Sequence, residues 1–183
     1  MFHFRETVSA IELSPDTVRR VQIREATAAD WPQIYPFWSE IVEAGETYAY
    51  PLGATSDEAR EMWMYDHVVV AVEGEGQDER ILGSAKMGPN RPGRGSHIGT
   101  ASFMVSSAAR GKGVGRLLGD YCVQWHREQG FHGIQFNAVV ETNTTAVRLW
   151  QSLGFQIIGT VPDAFDSTSR GRVGLHVMYL PLN

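Results

Sequence analysis

The chain has a single cysteine, Cys122, so it has no internal disulfide framework to staple it. It has no apolar run of about 18 residues, the length a membrane-spanning helix needs. Its first residues, Met1-Phe2-His3-Phe4-Arg5-Glu6, lack the basic start and apolar centre of a secretory signal. It also lacks an excess of positive charge: the formal net charge of −5 argues against nucleic acid as the main partner. No internal repeat or low-complexity tract interrupts it. These absences lead us to expect a cytoplasmic protein with no membrane and no nucleic-acid partner. Its 183 residues suit one domain, and an apolar share of 43% is enough for a sizeable core.

Against that acidic background, one stretch concentrates cations and glycines. Phe103-Met104-Val105 reads as an apolar strand. Small residues follow, and then Arg110-Gly111-Lys112-Gly113-Val114-Gly115-Arg116 opens into a helix. A helix N-terminus presents unpaired N–H groups and the positive end of the dipole. Glycines let a ligand approach that backbone, and Arg110, Lys112 and Arg116 add charge, so the segment suits a phosphate or pyrophosphate. It is not a nucleoside-triphosphate loop, because Val114 follows Gly113 where Lys and Ser/Thr belong. It is not the dinucleotide fingerprint either, because the glycines fall at 111, 113 and 115.

The rest of the chain alternates helix and strand patterns. Residues 1–19 form an N-terminal arm, broken by the turn signal Ser14-Pro15-Asp16, and residues 20–183 make the main domain. Val21 to Arg24 alternates as a strand. Thr27, with Asp30 three residues on, reads as the cap of an amphipathic helix carrying Trp31, Ile34, Phe37, Trp38, Ile41 and Val42 and ending near Gly45. Ser56 reads as the cap of a second helix reaching Trp63. His67–Val72 and Ile81–Met87 form a hairpin, Gly88–Gly95 a loop, and His97–Val105 the strand feeding the glycine turn. The following helix buries Leu117, Leu118, Tyr121, Cys122 and Trp125, which makes Cys122 a core residue. His126 and His132 are expected in solvated or dipole-facing positions at its end. Gly133–Val140 is a strand, Thr144–Leu153 a helix closed by Gly154, and Phe155–Val161 and Val173–Leu180 the last strands.

Arg110-x-x-Gly113-x-Gly115 after Phe103-x-Val105 resembles the pyrophosphate motif of the GCN5-related N-acetyltransferase (GNAT) family. Asn143, Ala146, Leu149, Gly154 and Phe155 resemble that family's second motif, in the right order. The resemblance covers about residues 20 to 182. It implies an α/β fold with a mixed, mostly antiparallel sheet of about seven strands, splayed between the fourth and fifth and flanked by about four helices. It implies acetyl-coenzyme A as cosubstrate, with no metal. The pyrophosphate would lie on Arg110, Gly111, Lys112, Gly113, Val114, Gly115 and Arg116, the pantetheine arm against Met104 and Val105, and Asn143 near that arm. The Val105 backbone N–H is the family-like oxyanion donor. Glu46, Tyr48 and Tyr50 fall in the loop that forms an acceptor wall in such enzymes, and that loop looks loosely like phosphinothricin-type acetyltransferases. Phe136 to Asn143 looks like a yeast acetyltransferase acting on proline analogues, which marks Asn137 and Asn143 as a site pair. Where the family often has a tyrosine acid, this chain has Trp150, whose indole donates but cannot deliver a proton. Glu141, His97, Glu46 and water are the candidates for the base. The implied activity is direct acetyl transfer to the amine of a small molecule, an amino acid, an analogue or a toxic amine. A protein N-acetyltransferase and a non-catalytic acyl-coenzyme A binding module stand as alternatives, and many relatives are dimers.

Overall fold

The computed structural model describes residues 21–182, so the N-terminal arm read at 1–19 lies outside the described residues. Seven strands form one sheet: β1 Val21–Glu25, β2 His67–Glu73, β3 Arg80–Pro89, β4 Ile98–Val105, β5 Gly133–Val140, β6 Gln156–Ser167 and β7 Gly171–Pro181. Four α-helices accompany them: α1 Trp31–Ala44, α2 Ser56–Trp63, α3 Val114–Glu128 and α4 Thr144–Ser152. The spatial order is β1-β2-β3-β4-β5-β7-β6. Every neighbouring pair is antiparallel except β4 and β5, which run parallel and share only the pairs Ile98↔Gly133 and Gly99↔Ile134. Beyond those two pairs the strands part, which is the expected splay.

Helices cover both faces of the central strands, so β2 and β3 are buried along nearly their whole length. Alternation divides them. Val68, Val70 and Val72 join Trp31, Ile34, Trp38 and Trp63 on the α1/α2 face. Val69 and Ala71 join Leu118, Cys122, Phe136 and Trp150 on the α3/α4 face. The α1/α2 layer is pinned through buried Ser84: Trp63 Nε1 donates to its hydroxyl at 3.0 Å, and the hydroxyl donates to Val69 O at 3.0 Å. Gly119 lets α4 close on α3, because a Cβ there would meet Leu153 at 2.7 Å and the Trp150 ring at 3.2 Å.

Several boundaries differ from the sequence reading. Thr55, not Ser56, caps α2: its N–H donates to the Glu58 carboxylate at 2.8 Å and Glu58 N–H returns to its hydroxyl at 3.4 Å. Ser56 instead accepts from Trp31 Nε1 at 2.9 Å. Thr27 caps a single tight turn, Ala28–Asp30, that leads into α1. β6 runs on to Ser167, past Val161, because Pro162 sits in a register shift on an edge strand where no ladder bond is needed. His126 is fully buried rather than solvated, with Nδ1 2.8 Å from Cys122 O, and burial lowers its pKa. His132 is exposed as expected, and Cys122 is core.

The entry to α1 is held by charge. Arg24 donates to both Asp30 oxygens at 2.7 and 2.9 Å and pairs with Glu79, while Thr27 N–H donates to Asp30 at 2.6 Å. The Arg24 bonds hold the Asp30 carboxyl down at about 2, against the opposing effect of its burial. A carboxyl whose pKa is lower folded than unfolded contributes stability that is complete above the unfolded value of about 4 and disappears as pH falls through the folded value. Arg24→Ala should therefore cost about 1–2 kcal/mol in urea unfolding above pH 5, and the gap from the parent should narrow toward pH 2. A gap that stays constant across that range would remove Asp30 as its source.

Candidate active site

Where β4 and β5 part, a cleft of about 970 Å³ opens, and the glycine turn stands at one end of it. Aromatic rings hold the strands apart. Phe103 of β4 lies 4.6 Å from Trp150 and 5.8 Å from Phe136 of β5, and Phe136 lies 5.0 Å from Trp150 (ring centroids). Trp150 is thus a packing wedge in the cleft wall. β5 adds a register shift between Phe136 and Val139, which re-aims the residues between them.

The separation leaves β4 backbone groups without a strand partner. In an antiparallel ladder, successive amides point to opposite sides. Ser106 N–H donates to Leu82 O on β3, so Met104 and Ser102 share that direction, while Ala101, Phe103 and Val105 face the gap. Of the two strand residues expected at the pantetheine arm, Val105 thus turns its N–H into the cleft. Met104 turns its own to β3 and buries its side chain. Phe103 is already served: the Tyr48 hydroxyl donates to Phe103 O at 2.7 Å and accepts from Phe103 N–H at 2.9 Å. Burial raises the Tyr48 pKa strongly, so this hydroxyl is a fixed hydrogen-bonding group and a poor acid. Tyr50 stacks on it with centroids 5.5 Å apart and planes 2° apart, and burial pushes the Tyr50 phenol up to about 12.

The glycine turn is built for close approach. Gly111 and Gly113 take left-handed backbone, φ 77° and 73°, and a Cβ on either would meet nothing within 4 Å. Val114, Gly115 and Arg116 follow as the first residues of α3, where amides have no intrahelical acceptor. Arg110 and Arg116 line the cleft. Lys112 turns aside, with Nζ 3.0 Å from Glu73. Arg116 also donates to Asp120 at 2.9 Å and Ser152 at 3.2 Å. Asn143 lines the cleft and caps α4, with its Oδ1 accepting from Ala146 N–H at 3.2 Å. Asn137 also lines it, but exposed and in a mutual amide pair with Asn90 of the β3–β4 loop, at 2.7 and 3.3 Å.

Two carboxylates expected near the chemistry are elsewhere. Glu141 accepts from Gly174 N–H at 2.6 Å and is not part of the cleft wall. Glu46 accepts from Ser167 Oγ at 2.7 Å and Ser169 N–H at 2.8 Å, tying the α1–α2 loop to the β6–β7 turn, and those bonds lower its pKa. Sequence reasoning missed Asn90 and Lys86 beside the cleft. The signal for Lys86 was present: a lysine inside a strand whose neighbours are all small or apolar.

A model of the acetyltransferase (GNAT) family matches residues 23–155. A GCN5-related N-acetyltransferase structure from Kribbella flavida is 56% identical, with a TM-score of 0.84, covering 88% of this chain and 98% of that one. The N-acetyltransferase aca1 of Schizosaccharomyces pombe is 32% identical over 137 residues, 67% of this chain and 66% of its own. This chain thus spans just under two thirds of that relative. An L-methionine sulfoximine/L-methionine sulfone acetyltransferase of Pseudomonas aeruginosa is 30% identical over 170 residues, covering 88% of this chain and 93% of its own.

Tyr48→Phe removes the partner of both Phe103 backbone groups. We expect a stability loss of about 2 kcal/mol in urea unfolding, as for buried groups left unsatisfied. A loss under about 0.5 kcal/mol, the range of an inert surface change, would mean that water serves them equally well.

Proposed function

The chain belongs to the acetyltransferase (GNAT) family, and on that premise we propose that it moves the acetyl group of acetyl-coenzyme A directly to the amine of a small molecule, an amino acid or an analogue. One observation carries the reading. A single cleft joins the glycine-rich start of α3 to an unpaired strand edge, and stacked tyrosines stand in its wall. An aromatic wall with no carboxylate among its described residues favours a small acceptor over a basic protein tail. The relative acting on methionine sulfoximine and sulfone supports the same class.

The roles follow from what each group can do. Amides of Gly113 to Arg116, with Arg110, bind the pyrophosphate. The arm of the donor adds to the free edge of β4 as a strand would, and the Val105 N–H faces the developing oxyanion; one such donor is worth on the order of a hundredfold in rate. Glu141 and Glu46 are committed to other bonds and His97 is not among the cleft-lining residues, which leaves water to take the proton of the amine. Indole cannot protonate the departing thiolate, and a thiol of pKa about 8.5 needs only stabilisation by amides. The Asn143 side-chain amide, whose oxygen caps α4, offers its N–H groups for that. Held geometry, more than acid–base chemistry, then supplies the rate.

In calorimetry, Gly113→Glu should abolish acetyl-coenzyme A binding, and Gly113→Ala, which adds backbone strain without charge, should weaken it less; unchanged affinity in both would refute the pyrophosphate site. In a thiol-release assay with an amine panel, Asn143→Ala should lower kcat about tenfold or more. Parental turnover would end its assignment as a thiolate partner.

A further inference from the structure

A second chamber of about 240 Å³ adjoins the acetyl cleft and shares Tyr50, Thr100, Ala101, Ser102 and Asn137 with it. Its inner wall holds Lys86 of β3, directly across from Ser102 of β4. Every residue from Ile81 to Gly88 is buried, and Lys86 is only 8% exposed. A charged side chain in such a strand is costly unless something compensates it.

The compensation is partial. Lys86 Nζ donates to Met62 O at 2.7 Å and to the Tyr65 hydroxyl at 2.6 Å. The rings of Tyr65, Trp63 and Tyr50 lie 4.0, 5.5 and 5.7 Å from it, which favours a cation. An ammonium has three donors, and these bonds use two. Among the described residues Lys86 takes part in none of the ion pairs. Asp66 also borders the chamber, exposed and in left-handed backbone, φ 58°, and its charge favours the Lys86 cation from a distance without forming an ion pair with it. Burial lowers the Lys86 pKa to about 8, which leaves the group mostly charged at pH 7. A desolvated cation with a spare donor and no direct ion pair, facing a chamber that shares five wall residues with the reaction cleft, suits an anion.

We propose that Lys86 anchors the carboxylate of the acceptor, so that the acceptor class is an amine that also carries a carboxylate. This rests on the acetyl-transfer reading above and deepens it. The ammonium donates its third N–H to the carboxylate, and Tyr50, which walls both spaces, lies between anchor and reaction cleft. Acceptors without the anion lose the anchor but keep the acetyl donor site.

The test uses matched pairs at pH 7: L-methionine sulfone and 6-aminohexanoate, each against its carboxamide, in thiol-release assays. The parent should prefer the acid of at least one pair by tenfold or more in kcat/KM. Lys86→Met should erase that preference by raising KM for the acid, with the amide and acetyl-coenzyme A affinity unchanged. Lys86→Arg should restore part of the preference. Equal preference in parent and Lys86→Met, or none in either pair, would overturn the anchor while leaving acetyl transfer intact. A binding arm separates the two ideas: N-acetyl-L-methionine sulfone and its carboxamide are titrated into coenzyme A-loaded protein. If no amine is acetylated, transfer fails as a function, and an acid preference that Lys86→Met abolishes in this titration still supports the anchor; its absence overturns it.

Discussion

A β-sheet that stops pairing in its middle must do something with the backbone it exposes. That constraint organises this protein. After two residue pairs, β4 and β5 diverge, and the Phe103, Phe136 and Trp150 rings fill the apolar part of the gap. Unpaired amides beside such a surface cost free energy unless a partner arrives. The protein supplies one partner itself, the Tyr48 hydroxyl on Phe103, while the Val105 N–H faces the cleft. The same divergence lets the glycine turn and the start of α3 face the cleft, so one defect in pairing brings a free strand edge and a helix start into the same space.

The polar groups around the cleft then divide into those that build it and those that are open to a ligand. Glu46, Glu141 and Lys112 complete bonds between segments: loop to turn, strand end to strand, turn to β2. Arg110, the amides at the start of α3, the Val105 N–H and the Asn143 side chain face the cleft, and Lys86 faces the chamber beside it. A site dependent on geometry needs that division, because each ligand-facing group keeps its orientation only while its neighbours are held by others.

Much of this was legible in the residues. The glycine spacing marked an open turn into a helix start, and the Trp and Phe stripe of α1 marked its core face, because both depend on local backbone geometry and on period. The Asn143 cap was legible for the same reason. What failed were judgements needing a distant partner. Glu46 looked available until Ser167 and Ser169 closed on it, 121 and 123 residues away in sequence. His126 looked solvated because its helix position ignores the sheet beneath it. Tyr48 was expected as a wall, and its role as the partner of a strand 55 residues away has no local trace.

The sequence by itself therefore determined the element order, the two apolar helix layers and the glycine turn that opens α3, since propensity, periodicity and glycine stereochemistry act over a few residues. Tertiary structure alone decided which of several similar polar residues remain open to a ligand. A carboxylate, an amide or an ammonium is the same group in the chain whether it ends up bonded to backbone or facing a cavity. Only the packing of β4 against β5, and of α2 against β3, distributes those partners.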